Sequence, residues 1–165
     1  LIVKEQIVNV YLIRHGDAEP ASYQVKDFDR QLTEEGKETL RKAVQGWTKL
    51  ISTFDYIVSS PLVRAIQTAE IVKEIFNVKN DLIFDRCIVS GDTKSVIDLA
   101  NALRSNNVAF VGHEPSFSHY TAELIAAPGA YINFKKGMIA KIRFEGKARL
   151  GSGELEFLIP AKSYK

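Results

Sequence analysis

The segment VNVYLI, residues 8–13, is an apolar run that ends abruptly in Arg14, His15 and Gly16. A strand with one face in water alternates apolar and polar residues. This one is apolar at almost every position, the pattern of a strand covered on both faces, and that condition is met chiefly by parallel sheets flanked by helices. Ile7–Ile13 is therefore read as the first strand of an α/β fold. An arginine, a histidine and a residue with no side chain stand directly at its carboxyl end.

The rest of the chain repeats the alternation. Residues 18–31 are polar with little periodicity and read as a loop. Thr33 then has the character of an N-cap, with Glu34 and Glu35 in the first helical turn, where carboxylates favour the positive helix end. Leu40, Ala43, Val44, Trp47, Leu50 and Ile51 follow at helical spacing. Phe54–Val58 is a second strand. Ser60-Pro61 reads as a helix start, with Leu62, Ala65, Ile66, Ala69, Val72 and Phe76 as the apolar stripe. Leu82–Phe84 is a short strand, and a third helix carries Val96, Leu99, Ala100 and Leu103. Val108–Val111 is another buried strand, and Pro115 opens a helix with Phe117, Tyr120 and Leu124. Met138–Phe144 and Leu150–Leu158 read as an antiparallel hairpin near a sheet edge, turning at Glu145-Gly146. The expected architecture is a three-layer α/β sandwich: a central, mostly parallel sheet with helices on both faces and a C-terminal antiparallel hairpin. With 165 residues, no repeat and no linker-like stretch, residues 1–165 are expected to form a single domain.

Composition excludes several function classes. A net charge of +2 gives no reason to expect a nucleic-acid or membrane partner. No apolar run approaches the ~18 residues that span a bilayer. The N-terminus is interrupted by Lys4, Glu5 and Gln6 and has no small-residue cleavage site, so no signal peptide and a cytoplasmic location are expected. The one cysteine, Cys87, rules out an intrachain disulfide, and with three histidines it is a thin supply for a metal site. Neither metal nor cofactor is expected. Gly91 is followed by Asp92-Thr93-Lys94-Ser95, but the upstream glycine of a phosphate-binding P-loop is missing, and there is no G-x-S-x-G elbow.

Chemistry concentrates at three strand ends: Arg14-His15-Gly16, Ser59-Ser60-Pro61 with Arg64, and Gly112-His113-Glu114-Pro115. Ligands of open α/β sheets bind in the crevice outside the carboxyl ends of the strands, so one pocket can collect Arg14, His15, Arg64 and His113. Arg64 falls in the first turn of its helix. A cation there opposes the helix dipole by roughly 0.3–1 kcal/mol, and a bound anion would reverse that sign. Arginine also offers a planar fork for two phosphate oxygens. Gly16 leaves room for a ligand near the backbone. Neighbouring arginines disfavour protonated His15, and a neutral imidazole nitrogen is a nucleophile. If the other ring nitrogen donates to a backbone carbonyl, Nε2 is the attacking atom. His113 is then placed to stabilise a transferring phosphoryl group.

The segments LIRHGDAE, SSPLVRAIQTAEIV and VGHEPS resemble, in order, the three signatures of the histidine phosphatase superfamily, the group that includes phosphoglycerate mutase-like enzymes. RQLTEEGKE, Arg30 to Glu38, resembles a further family segment. The resemblance implies that His15 is phosphorylated during the reaction and that Arg14, Arg64 and His113, with Gly16 and the backbone N–H of Glu114, form the phosphate pocket. Larger members insert a helical cap that supplies an acid for the leaving oxygen. Here Asn77–Thr93 has the length of a plain connection, and with SGD at Ser90–Asp92 the layout is similar to the compact SixA-like phosphohistidine phosphatases. The candidate acids are Asp17, Asp92 and Glu114, none at the position of the capped members' acid.

A metal-independent phosphatase acting on phosphohistidine in proteins is thus the leading expectation. A broad phosphatase for small phosphoesters and a catalytically weak module that binds phosphorylated partners are the alternatives. His119 reads as a helix residue near the mouth at most, the Trp47 stripe as core, and Cys87 as a small buried hydrophobe. Asp17 is split between orienting an arginine and serving as an ordinary loop carboxylate.

Overall fold

The computed structural model describes residues 6–90 and 92–164. The signal-peptide reading of the first five residues, and Gly91 of the Ser90–Asp92 segment, lie outside the described residues. The elements are β1 (Ile7–Arg14), α1 (Glu34–Trp47), β2 (Tyr56–Ser59), α2 (Val63–Phe76), β3 (Ile83–Phe84), α3 (Cys87–Ser90), α4 (Thr93–Ala102), β4 (Asn107–Gly112), α5 (Ser116–Leu124), β5 (Ile139–Glu145) and β6 (Glu154–Ile159), with 3-10 turns at Asp27–Asp29 and Ala161–Ser163.

They form one six-stranded sheet in the order β3-β2-β4-β1-β5-β6. The first four strands are mutually parallel, while β5 runs antiparallel to β1 and to β6. β1 lies inside the sheet between β4 and β5, which accounts for its unbroken apolar character. Its alternate residues feed two cores. Tyr11 and Ile13 join Ile57, Ala109 and Val111 under α1 and α2, against Leu40, Trp47, Ala65 and Val72. Val10 and Leu12 join Val58, Val108 and Phe110 on the other face, against Val96, Phe117, Tyr120 and Leu124. Each large side chain so buried contributes roughly 1.5–3 kcal/mol.

Thr33 caps α1 as expected, its hydroxyl accepting from the Gly36 N–H. Elsewhere the boundaries shift for identifiable reasons. α2 begins at Val63, with Leu62 rather than Ser60 at its cap. The Ser60 hydroxyl still accepts from the Leu62 N–H, at 3.2 Å, but does so ahead of the helix, where it also meets His113. β2 starts at Tyr56 rather than Phe54, and the Asp55 carboxylate just before it takes the N–H groups of Asn106 and Asn107. β6 starts at Glu154 rather than Leu150, so the hairpin does not turn tightly at Glu145-Gly146. The N–H groups of Gly151 and Gly153 bind the carbonyls of Glu123 and Leu124 at the end of α5 instead of extending the ladder. α3 has no counterpart in the sequence pattern, because four residues carry no periodic signal.

Strand β1 delivers its two terminal functional residues to opposite sides. By alternation Arg14 follows Leu12 toward α5, and His15 follows Ile13 toward α2. Arg14 stands directly opposite Gly112 in the ladder with β4, which places His113 one residue beyond.

Candidate active site

The three strand ends meet outside the carboxyl edge of β2, β4 and β1. His15 is 6% exposed and Arg64 7%. The His15 Nδ1 lies 2.7 Å from the Gly16 carbonyl oxygen. That oxygen only accepts, so Nδ1 carries the proton and Nε2 carries the lone pair. Arg64 Nε donates toward Nε2 at 3.3 Å. The ring of His113 sits 5.2 Å from that of His15, centroid to centroid.

Both rings are held neutral. Burial, with the adjacent His113, Arg64 and Arg14 charges, pushes the His15 pKa down to about 3 against the opposing hydrogen bond to Gly16. Burial and the two arginines push His113 down to about 4, opposed by the charge of Asp27. In the unfolded chain both return to an ordinary value of ~6.5. Below that value the unfolded chain binds more protons than the folded one, so the stability these residues contribute is lost as pH falls from ~6.5 toward 4. Denaturation midpoints measured at about pH 7.5 and about pH 5 should therefore drop on acidification, and a His113→Asn variant should show a smaller drop.

His113 Nε2 is 2.7 Å from the Ser60 hydroxyl, which itself accepts from Leu62. The Ser60 hydroxyl can donate to Nε2 or accept from it, so this bond is compatible with either neutral tautomer, and the buried Nδ1 has no partner among the described residues. Arg14 donates from Nη1 to the Phe134 carbonyl at 2.7 Å, and its buried Nε likewise has no partner there. Arg64 donates from Nη1 to the Asp27 backbone oxygen at 2.7 Å and from Nη2 to the Asp27 carboxylate at 3.2 Å. Thr68 ties the strand end to the helix: its hydroxyl donates to the Arg64 carbonyl at 2.8 Å and accepts from the Gly16 N–H at 3.1 Å.

The four residues Arg14, His15, Arg64 and His113 are thus brought together. Gly16 is adjacent. Its N–H is engaged by Thr68 and its carbonyl by His15, so its backbone holds the loop beside the pocket. The three candidate acids each have partners of their own. Asp17 pairs with Lys136 at 2.5 Å, which holds its carboxyl below the usual carboxylate range. Glu114 is bound by the backbone N–H of Ser118 at 2.9 Å and by the Ser118 hydroxyl. Asp92 caps α4 through the N–H groups of Lys94 and Ser95, bonds that with the Ser95 hydroxyl hold its carboxyl low. His119 is on the surface, 3.4 Å from Glu123. Among the described residues no cluster of three or more His, Cys, Asp and Glu side chains could hold a metal ion, and no helix is long and apolar enough to cross a membrane.

Three participants escaped the sequence reading. Asp27 lies in an aperiodic stretch, Thr68 looks like an ordinary helix residue, and the Phe134 carbonyl belongs to the backbone. None carries a local signal.

Comparison with known proteins gives a consistent pattern. The family model of the histidine phosphatase superfamily (branch 1) matches residues 10–84. The phosphohistidine phosphatase SixA homolog of Haemophilus influenzae is 30% identical over 152 residues, covering 84% of this chain and 90% of that protein. An uncharacterized Picosynechococcus protein is 30% identical over 148 residues, covering 87% and 88%. The protein histidine phosphatase SixA, solved with tungstate, superposes with a TM-score of 0.83 at 24% identity, over 96% of this chain and all of that one. A phosphoserine phosphatase of Entamoeba histolytica, solved with 3-phosphoglyceric acid, gives 0.66 at 17% identity, over 89% and 96%.

Proposed function

Because the chain belongs to the histidine phosphatase superfamily, we propose that it hydrolyses phosphoryl groups through a phosphohistidine formed on His15, with phosphohistidine in a protein as its preferred substrate. The observation that carries the phosphatase reading is the fixed tautomer of His15, whose Nε2 lone pair sits among Arg14, Arg64 and His113. In the first step Nε2 attacks phosphorus and the bond to the leaving group breaks. In the second, water attacks the phosphorylated His15 and inorganic phosphate departs. Arg14, Arg64 and His113 hold the phosphoryl oxygens and neutralise their charge throughout.

Substrate preference follows from the acid. An alkoxide needs a proton from a positioned group as it leaves. Asp17, Asp92 and Glu114 are each already paired with other groups. An imidazole needs no such donor, since its ring protonates near neutral pH by itself. The name of the Haemophilus influenzae relative agrees with this preference. A small-phosphoester activity is the second reading, favoured by the fold shared with a phosphoserine phosphatase.

The test compares a histidine-phosphorylated protein with phenyl phosphate and other small esters, with chelator present and no added metal. The expected result is a kcat/KM at least about tenfold higher for the phosphohistidine substrate, the size of one good hydrogen bond to a charged group. Ester preference would replace the substrate reading. Phosphate binding with no turnover on either substrate would indicate a recognition module.

A further inference from the structure

We propose that Asp27 is a specificity-determining residue of this site: its carboxylate receives the N–H of a protonated imidazole leaving group and so favours phosphohistidine over phosphate esters. The inference rests on the phosphatase reading above and extends it to the far side of the reacting phosphorus.

The order of groups from core to solvent places Asp27 there. His15 and Arg64 are buried, while the Asp27 side chain is 63% exposed. Arg64 points Nε at His15 and both Nη atoms at Asp27, so the guanidinium stands between nucleophile and carboxylate. In-line displacement puts the leaving group opposite His15 Nε2, toward the solvent side from which a substrate must enter. Asp27, the exposed member of the three, lies on the solvent side of Arg64. Its charge also acts on His113 across the pocket. The charged or titratable groups that act on it are Arg64 from α2, Arg30 from its own segment at 2.7 Å, and His113 from the end of β4. Arg30 and Arg64 each take one carboxylate oxygen, and each oxygen keeps a further lone pair. Paired in this way the carboxylate stays ionised, as an acceptor rather than an acid.

The chemistry requires such an acceptor. A phosphorylated imidazole departs readily when its other ring nitrogen carries a proton. As the His15–phosphorus bond forms, the substrate's P–N bond breaks, the electron pair returns to the ring, and neutral imidazole leaves with its N–H. A carboxylate beside that N–H enlarges the protonated, reactive fraction of bound substrate. For an aryl ester the leaving oxygen gains negative charge, and the same carboxylate opposes it. Asp27 therefore acts in opposite senses on the two substrates, whereas a residue that only held Arg64 in place would act alike on both.

The test is Asp27→Asn, which keeps an oxygen for Arg64 and leaves the backbone carbonyl in place. Both kcat and kcat/KM would be followed for a phosphohistidine peptide and for phenyl phosphate from about pH 6 to about pH 9, a range that spans imidazole titration. The expected result is a fall of about tenfold in the phosphohistidine-to-ester ratio. The alkaline limb of the phosphohistidine kcat profile, which reports the bound substrate, should move to lower pH, because the bound ring loses the charge that favoured its protonation. Asp27→Glu should restore most of the ratio. Equal losses on both substrates, or a ratio and alkaline limb that do not move, would overturn the role given to Asp27 alone. A wild-type protein with no activity on phosphohistidine would overturn the substrate reading as well, so the two failures are distinguishable.

Discussion

His15→Ala is expected to lower turnover by at least about 1,000-fold, because the variant has no atom that can form the phosphoryl-enzyme and water must attack without it. The fold should persist. The lost side chain makes two bonds, from Nδ1 to the Gly16 carbonyl and at Nε2 from Arg64, while the Gly16 N–H remains tied to Thr68 and Arg64 to Asp27. The net cost of each lost bond is about 1 kcal/mol. The check is a rapid-quench experiment with a radiolabelled phosphoryl donor, together with a melting curve. Wild type should carry acid-labile label transiently, and the variant should carry none while melting cooperatively. Label retained on the variant, or turnover within about tenfold of wild type, would remove His15 from the nucleophile's position.

Arg64→Ala is expected to cost roughly 100- to 1,000-fold in kcat/KM, the range for deleting one preorganised donor to a developing anion. Three functions end together. The phosphoryl group loses a cationic donor, the His15 lone pair loses the group that aligns it, and the loop at Asp27 loses both of its bonds to α2. Arg64→Lys keeps the charge but not the fork and should recover only a minor part. An independent reading comes from the His15 titration. Arg64 is one of the charges holding its pKa near 3, so removing that charge should move the midpoint upward. A midpoint that stays fixed while activity falls would mean that Arg64 contributes through the loop rather than through its charge.

The central elements and the four clustered residues were legible because their signals are local. The unbroken apolar run at residues 8–13 marked a strand with neighbours on both sides, and β1 has β4 and β5 there. Thr33 announced α1 through its own hydroxyl. Arg64 was conspicuous because a cation at a helix start has no local justification, and its partners are indeed non-local, His15 and Asp27. Ser60-Pro61 misplaced the start of α2 because a serine that looks like a cap from its neighbours was engaged by a histidine 53 positions later.

What the sequence determined alone is the periodicity of each strand and helix and the kinds of side chain standing at the strand ends, since both follow from neighbours within a turn or two of the backbone. What only the tertiary structure decided is which lone pairs and protons face one another. Asp27 reaches Arg64 across 37 positions, Gly16 reaches Thr68 across 52, and Arg14 reaches the Phe134 carbonyl across 120. Those contacts are set by how loops from different layers close over the sheet edge. Such hydrogen bonds depend on tenths of an ångström between atoms far apart in the chain, and no local pattern of residues carries that distance.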